Sequence, residues 1–150
     1  MEGLSEVSGE DLEKRKQLMR SRVAALRQCD VRQPHPLGDD STYDLIVSAY
    51  CVDAATTSSD EWMQLMGNLL TLCADNGSVA LLSSKKSQHY VLGCEKFPFA
   101  DVGEKEIALA LAAAGFDPAL TEIEALPIKD WAEAGFDGIV IAFATKGRSS

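Results

Sequence analysis

The segment 43–55 constrains the fold of this chain more than any other. Its three consecutive apolar residues at 45–47 predict a strand that is covered on both faces, as in parallel sheets. A small, mixed segment follows at 48–55, and helical periodicity of apolar residues begins near Trp62. In open α/β sheets, ligands bind at the carboxyl ends of the strands. We therefore expect residues 48–55 to line a binding site.

The rest of the chain alternates between helical and extended patterns, which indicates an α/β fold with a largely parallel sheet. Before the segment 43–55 we predict an exposed helix over 10–22 capped by Ser8, a short strand at 25–29 and a loop at 33–40. After it we predict a helix whose apolar face runs from Trp62 to Cys73, a left-handed turn at Gly77, a strand at 79–82 and a polar loop at 83–88. The chain then continues with a helix over 104–114 closed by Gly115 and with strands at 120–126 and 138–145. The last two strands have no helix between them. We expect them to form an antiparallel pair at the sheet edge.

Size and charge narrow the classes of protein and partner. A length of 150 residues predicts one domain over 1–150, with residues 1–9 loose. The net charge of −9 disfavours nucleic acid and anionic membranes as partners. Neither a signal peptide nor a long apolar run is present, so we expect a soluble, cytoplasmic protein.

The cysteines do not form a metal-binding pattern. They lie about twenty residues apart, with no Cys-x-x-Cys pair and only two histidines in the chain, so a zinc site is not expected. A disulfide framework is arithmetically open. Because each cysteine lies in or beside an apolar run, we expect buried free thiols in a reducing compartment. The four are Cys29, Cys51, Cys73 and Cys94.

Three short motifs resemble those of a known family. They are Cys-Asp-Val at 29–31 followed by Pro-Leu, Ser-Ala-Tyr-Cys-Val-Asp-Ala-Ala at 48–55, and Tyr-Val-Leu-Gly-x-x-Lys-Phe at 90–97. In this order and spacing they resemble class I S-adenosylmethionine-dependent methyltransferases. Within that class they are similar to the nicotinamide, phenylethanolamine and indolethylamine N-methyltransferases. The likeness extends over residues 10–146 and implies a Rossmann-like sheet.

The resemblance implies S-adenosylmethionine as cofactor and assigns residues to it. In such enzymes the acidic residue after the third strand holds the adenine amino group, which puts Asp30 and Val31 at the adenine. The carboxyl end of the fourth strand lies under the methionine and adenosine parts of the cofactor. The matching residues here are Tyr50, Cys51 and Ala55.

The resemblance also implies a small amine or pyridine as methyl acceptor, bordered by Ser83, Ser87 and Tyr90. The nicotinamide enzyme carries an aspartate where this chain has Ser83, so an acceptor other than nicotinamide is implied. A sulfonium methyl is already a strong electrophile, and the protein mainly aligns it and excludes water. No catalytic acid, base, nucleophile or metal ligand is therefore expected.

Each of these residues also has a purely structural interpretation. Asp30 precedes a turn and can hydrogen-bond its own loop. Cys51 is more often a packing residue than a reactive one, and Tyr90 can be a core aromatic with a satisfied hydroxyl. Asp53 can form an ion pair or cap the turn that follows it.

Two elements of the family pattern are absent from this sequence. The family carries a Gly-x-Gly loop after its first strand and an acidic residue at the end of its second, and this chain has no Gly-rich loop. We therefore expect the C-terminal portion of the fold, with the strand at 45–47 lacking a neighbour. Two functions stay open. One is an N-methyltransferase, active as part of a longer or split enzyme; the other is a non-catalytic module that binds a protein, or a second copy, through the open sheet edge.

Overall fold

The structure is a computed structural model that describes residues 9–85, 89–128 and 137–147 of the chain. The helices are α1 (Gly9–Arg22), α2 (Ser59–Leu70) and α3 (Glu104–Ala113), with a short 3₁₀ helix at Asp53–Ala55. The strands are β1 (Tyr43–Ala49), β2 (Cys73–Lys85), β3 (His89–Leu92), β4 (Glu95–Pro98), β5 (Phe116–Pro127) and β6 (Gly138–Lys146). Ser8 and Ser87, for which we predicted a cap and a site role, lie outside the described residues.

Four of the strands form one mixed sheet in the order β1-β2-β6-β5. β1 runs parallel to β2, while β6 pairs antiparallel with both β2 and β5. β5 lies at the sheet edge, so the expected antiparallel pair at that edge is confirmed. The α/β class predicted from the alternating pattern is confirmed as well.

α2 and α3 supply the helical side of the hydrophobic core. α2 begins at Ser58, whose Oγ accepts a hydrogen bond from the Glu61 backbone N–H at 3.3 Å, as expected for an N-cap. Inward-facing residues of the strands alternate with outward-facing ones, and the inward set packs with both helices. The core includes Ile46, Val79, Leu81, Val140, Ala142, Trp62, Leu65, Met66, Leu70, Ile107 and Leu111.

The opposite face of the sheet is open in the described part of the chain. Leu45, Val47 and Phe143 are 58%, 67% and 55% exposed on it. The prediction that the strand at 45–47 is covered on both faces is therefore wrong for this chain, because both helices that pack on the sheet lie on the other side. The expectation that this strand lacks a neighbour is confirmed for the described residues, among which β1 pairs with β2 alone.

The predicted strand at 25–29 does not form. Residues 23–30 have no regular secondary structure, and Leu26 is 94% exposed. A strand needs a partner for its backbone groups, and the described sheet ends at β1. The preceding helix α1 is exposed along its length, as predicted.

The turn expected at Gly77 is instead an irregularity inside β2. The left-handed residue is Asn76, with φ 60°, and the pairing with β1 shifts between Tyr43 and Leu45. Gly77 is needed for space: a Cβ there would lie 2.9 Å from the Ala74 carbonyl oxygen and 3.1 Å from that of Tyr43. The predicted α2 face extended to Cys73, which instead begins β2.

Two differences lie near the end of β2. The strand continues to Lys85, so Ser83 and Ser84 belong to it rather than to the predicted loop at 83–88. A hairpin that the sequence did not reveal, β3–β4, follows, with Gly93 at φ 65° in its turn.

The four thiols are free, but only Cys73 is buried. The prediction of buried thiols is wrong for Cys29, Cys51 and Cys94, which are exposed; for Cys51 this holds although its neighbour Val52 is in the core. In the part of the chain described here, no helix is long and apolar enough to cross a membrane.

Candidate functional site

Two loops that carry predicted site residues lie against each other. The loop after residue 30 is closed by a hydrogen bond from the Asp30 N–H to the Pro36 carbonyl at 2.8 Å. Arg32 Nη2 donates to the Ala55 carbonyl at 2.9 Å, and Asn68 Nδ2 of α2 donates to the Val31 carbonyl at 2.9 Å. Residues 30–31 are thereby held beside the 3₁₀ helix that follows β1.

The Asp30 carboxylate is only partly used by its own loop. Its Oδ1 accepts a hydrogen bond from the Arg32 backbone N–H at 3.0 Å, which is the local role considered for an Asp before a turn. Oδ2 has no hydrogen-bond donor among the described residues. The side chain is half-buried, so one carboxylate oxygen remains able to accept a hydrogen bond from a ligand.

Tyr50 follows β1 in a strained conformation. Its φ is 57°, in the left-handed region that side chains other than glycine rarely adopt, and its N–H donates to the Leu82 carbonyl at 2.8 Å. Burial, and then the charge of Asp53, raises the pKa of the Tyr50 hydroxyl. Cys51 beside it is exposed. Backbone strain of this kind clusters at functional sites.

Asp53 connects the two strand ends that border the site. Its Oδ1 accepts from Trp62 Nε1 at 2.8 Å and from Ser83 Oγ at 3.1 Å, and its Oδ2 accepts from the Ser84 N–H at 3.1 Å. The side chain is 1% exposed. Burial raises the pKa of this carboxyl, although the three hydrogen bonds act in the opposite direction.

The two described acceptor candidates lie near Asp53, Ser83 through the Asp53 carboxylate and Tyr90 through the end of the hairpin. Ser83 is buried and donates its hydroxyl to Asp53. Tyr90 is half-buried, stacks on Phe97 with ring centroids 5.2 Å apart, and meets Phe99 edge-on at 5.4 Å. The Ala100 N–H next to Phe99 donates to the Asp53 carbonyl at 3.1 Å, which ties the end of the hairpin to the 3₁₀ helix.

Sequence reasoning missed Arg32 and Asn68 and treated Asp53 as a local cap. Arg32 and Asn68 lie outside the three motifs, and their partners are distant in the sequence; Asp53 lies inside the motif at 48–55, but the resemblance assigned it no role. Asp53 could have been identified from its position in the segment after a buried strand, where ligands bind and a carboxylate has little contact with water. No cluster of metal-ligating side chains occurs within the described ranges.

Comparison with known proteins places these features in a family. A sequence profile of the NNMT/PNMT/TEMT family matches residues 1–147. Phenylethanolamine N-methyltransferase of Macaca mulatta is 27% identical over 150 residues, which cover 95% of this chain and 52% of the relative. Nicotinamide N-methyltransferase of Homo sapiens is 29% identical over 100 residues, covering 65% of this chain and 38% of the relative.

Solved structures agree with this assignment at the level of the fold. The 1,6-didemethyltoxoflavin-N1-methyltransferase of Burkholderia thailandensis, solved with S-adenosylhomocysteine, has a TM-score of 0.58 at 18% identity and covers 95% of this chain and 59% of its own. A methyltransferase from Methanosarcina mazei has a TM-score of 0.59 at 11% identity, with 95% of this chain and 80% of its own covered. The chain thus has the fold of class I methyltransferases.

The chain spans about half the length of the curated relatives that it matches, 42% and 52% for the phenylethanolamine N-methyltransferases of Sus scrofa and Macaca mulatta. The profile match nevertheless runs over nearly all of its residues and includes all three motifs. This chain belongs to the NNMT/PNMT/TEMT family.

Proposed function

We propose that this chain supplies the adenosine-binding part of an S-adenosylmethionine-dependent N-methyltransferase whose acceptor is a small amine or pyridine. The observation that carries the proposal is the pair of loops at 30–38 and 50–55. They are hydrogen-bonded to each other, and the half-buried Asp30 keeps one oxygen free beside them. A carboxylate oxygen between two loops at the carboxyl end of a strand suits an adenine amino group.

Two of the residues bind the adenine, and three others orient the rest of the cofactor. Asp30 Oδ2 accepts from the adenine amino group, with Val31 beside the ring. Tyr50, Cys51 and Ala55 form the surface under the adenosine and methionine parts. S-adenosylmethionine, when bound, supplies an activated methyl group, so these side chains need only hold it in line with the acceptor nitrogen and keep water away.

The acceptor side is formed by Ser83, Ser87 and Tyr90. The stacked rings of Tyr90 and Phe97, backed by the buried Phe99, provide an aromatic surface suited to a flat or cationic amine. Serine at position 83 offers no carboxylate to an acceptor, and its hydroxyl already donates to the buried Asp53. This supports an acceptor other than nicotinamide, and the net charge of −9 supports a small molecule over nucleic acid or an anionic membrane.

The chain acts as one domain that forms the C-terminal portion of a longer or split enzyme. The support is the lack of a Gly-rich loop in the sequence and the unpaired outer edge of β1. A cytoplasmic location is part of the same proposal. Three exposed free thiols suit a reducing compartment.

Calorimetric titration of the chain with S-adenosylhomocysteine tests the cofactor site. Asp30→Ala should weaken binding by about 1–3 kcal/mol through loss of a hydrogen bond to a charged acceptor. Tyr90→Phe is the matched control and should leave this affinity unchanged while altering acceptor affinity or turnover. Equal affinities for wild type and Asp30→Ala remove Asp30 from the site, and a loss of cofactor binding in Tyr90→Phe assigns that residue a structural role.

A second function is favoured by the exposed edge and face of the sheet. β1 presents unpaired backbone groups along its outer edge, beside the exposed side chains Leu45 and Val47. Such an edge binds a further strand, from a polypeptide carrying the rest of the fold or from a second copy. In this alternative the chain is a non-catalytic module, distinguished by partner binding without measurable cofactor affinity.

A further inference from the structure

We propose that Arg32 is a positioning residue that fixes the loop at 30–38 against the turn at 50–55 before any ligand binds. The proposal rests on the proposed function only for the identity of the ligand. Its structural content is that one exposed guanidinium sets the spacing between the two walls of the site.

The hydrogen bond from Arg32 supplies a donor to a carbonyl that has none within its own helix. Ala55 is the last residue of the 3₁₀ helix, and carbonyls at a helix end lack donors within the helix. Arg32 Nη2 supplies that donor at 2.9 Å from a residue 23 positions earlier in the chain. A charged donor to a carbonyl is stronger than a neutral one, and the planar guanidinium limits the positions the loop can take.

Val31 and Leu37 pack against the hydrophobic core, and few hydrogen bonds hold the rest of this wall of the site. Because residues 23–30 are not paired in a sheet, the loop is not fixed by a strand in front of it. Asn68 holds the Val31 carbonyl, and Arg27 holds the far end through Asp39 at 2.5 Å. Between these points, and among the described residues, the side chain of Arg32 makes the hydrogen bond that connects the loop to the turn after β1.

Arg32 also contacts Asp30, through its backbone N–H. The Arg32 backbone N–H donates to Asp30 Oδ1 at 3.0 Å, and the Arg32 guanidinium donates to the Ala55 carbonyl. Moving Arg32 therefore moves the carboxylate proposed to accept the adenine amino group. Lysine at this position retains one charged donor to the Ala55 carbonyl but lacks the planar fork, so it should restore the contact only in part.

Amide hydrogen exchange on the whole chain, without ligand, tests the positioning role. In Arg32→Ala, the amides of Asp30, Gln33 and Gly38 should exchange about fivefold faster, as expected for losing one hydrogen bond. Arg32→Lys should lie between the two. Amides of the central strand β2 should not change in any variant, and the charge-matched control Arg22→Ala, in the exposed helix α1, should match wild type.

Unchanged loop exchange in Arg32→Ala overturns the proposal, and so does Arg32→Lys exchanging as fast as Arg32→Ala. A parallel titration with S-adenosylhomocysteine separates this from the proposed function. If wild type does not bind, the cofactor proposal fails while the exchange data still decide the role of Arg32. If wild type binds and Arg32→Ala binds equally well with a loosened loop, the fixing of the loop by Arg32 stands and so does the cofactor site, while the link from Arg32 through Asp30 to the cofactor is overturned.

Discussion

At the scale of single residues, Asp53 is distinctive because it is the buried carboxylate among the described residues. Its carboxylate is buried, and three donors from α2 and β2 converge on it. Burial raises its pKa above the ordinary value of 3.8. The native state therefore holds this proton more tightly than the unfolded chain does. The stabilisation from protonation is fully present below the unfolded pKa and is lost as pH rises through the folded pKa.

Asp53→Asn should lower the free energy of unfolding by about 1–3 kcal/mol at neutral pH. In wild type the Ser84 N–H donates to Oδ2, and in the variant the amide NH₂ takes the place of Oδ2, so that two donors face each other. The deficit relative to wild type should grow as pH falls toward the folded pKa, since only wild type gains from protonation. Urea unfolding at about pH 8 and about pH 5.5 measures both quantities. A deficit that shrinks on acidification would show that the three hydrogen bonds outweigh burial.

Residue roles were predictable only where a motif carried them. The motif at 29–31 and the segment at 48–55 gave the five cofactor candidates through the family resemblance, and the structure brings their two loops together. Arg32 and Asn68 were not predictable. Their bonds to Ala55 and Val31 span 23 and 37 positions, and no periodicity reports a contact of that kind.

At the scale of elements, two glycines show opposite constraints. Gly67 lies inside α2, and a Cβ there meets nothing within 4 Å. Gly77 lies in β2, where a Cβ would come within 3.0 Å of Cys73 Sγ as well as close to two carbonyl oxygens. The first glycine lowers helix stability without a packing reason, while the second is required by the close approach of Ala74 and Cys73 of β2 and of Tyr43 of β1.

Gly67→Ala should raise the free energy of unfolding by about 0.5–1 kcal/mol, the difference in helix propensity. Gly77→Ala should lower it by about 1–3 kcal/mol, because the backbone must shift to admit the methyl group. Urea unfolding of the pair, with equal slopes as the sign of an unchanged two-state transition, measures the contrast. A stable Gly77→Ala variant would mean that the irregularity in β2 relaxes freely.

Elements with a strong local signal were predicted well. The apolar face and N-cap located α2, and the apolar run at 138–145 located β6. The hairpin β3–β4 was missed because its strands have four residues each and show little alternation. The strand at 25–29 failed for the opposite reason: its pattern is extended, but the described chain offers no neighbour for it.

At the scale of the whole molecule, the sheet has one packed face and one open face. α2 and α3 cover the first, and Leu45, Val47 and Phe143 remain exposed on the second. Exposed apolar side chains beside an unpaired strand edge favour association. The unpaired edge was predicted from the family resemblance, whereas the open face was not, because the apolar run at 45–47 predicted a strand covered on both faces.

Size-exclusion chromatography with light scattering should therefore show wild type associating with itself or with a polypeptide that supplies the neighbouring strands. Val47→Lys places a charge on the open face beside the edge and should shift the chain toward monomer. Leu109→Lys is the control, since Leu109 is exposed on α3, which packs on the other face of the sheet from Val47. A monomeric wild type with micromolar cofactor affinity would contradict the prediction and show that the sheet is complete without a partner.

The free edge of β1 also bears on how a partner is discriminated from other strands. Backbone amides and carbonyls are the same in every strand, so hydrogen bonding along the edge is indifferent to sequence. Selectivity must come from the side chains that point away from the packed face. Leu45 and Val47 lie two positions apart on that side, which places them about 7 Å apart along the strand. A matching surface therefore needs two apolar depressions at that spacing, and strands without such a counterpart should bind only transiently.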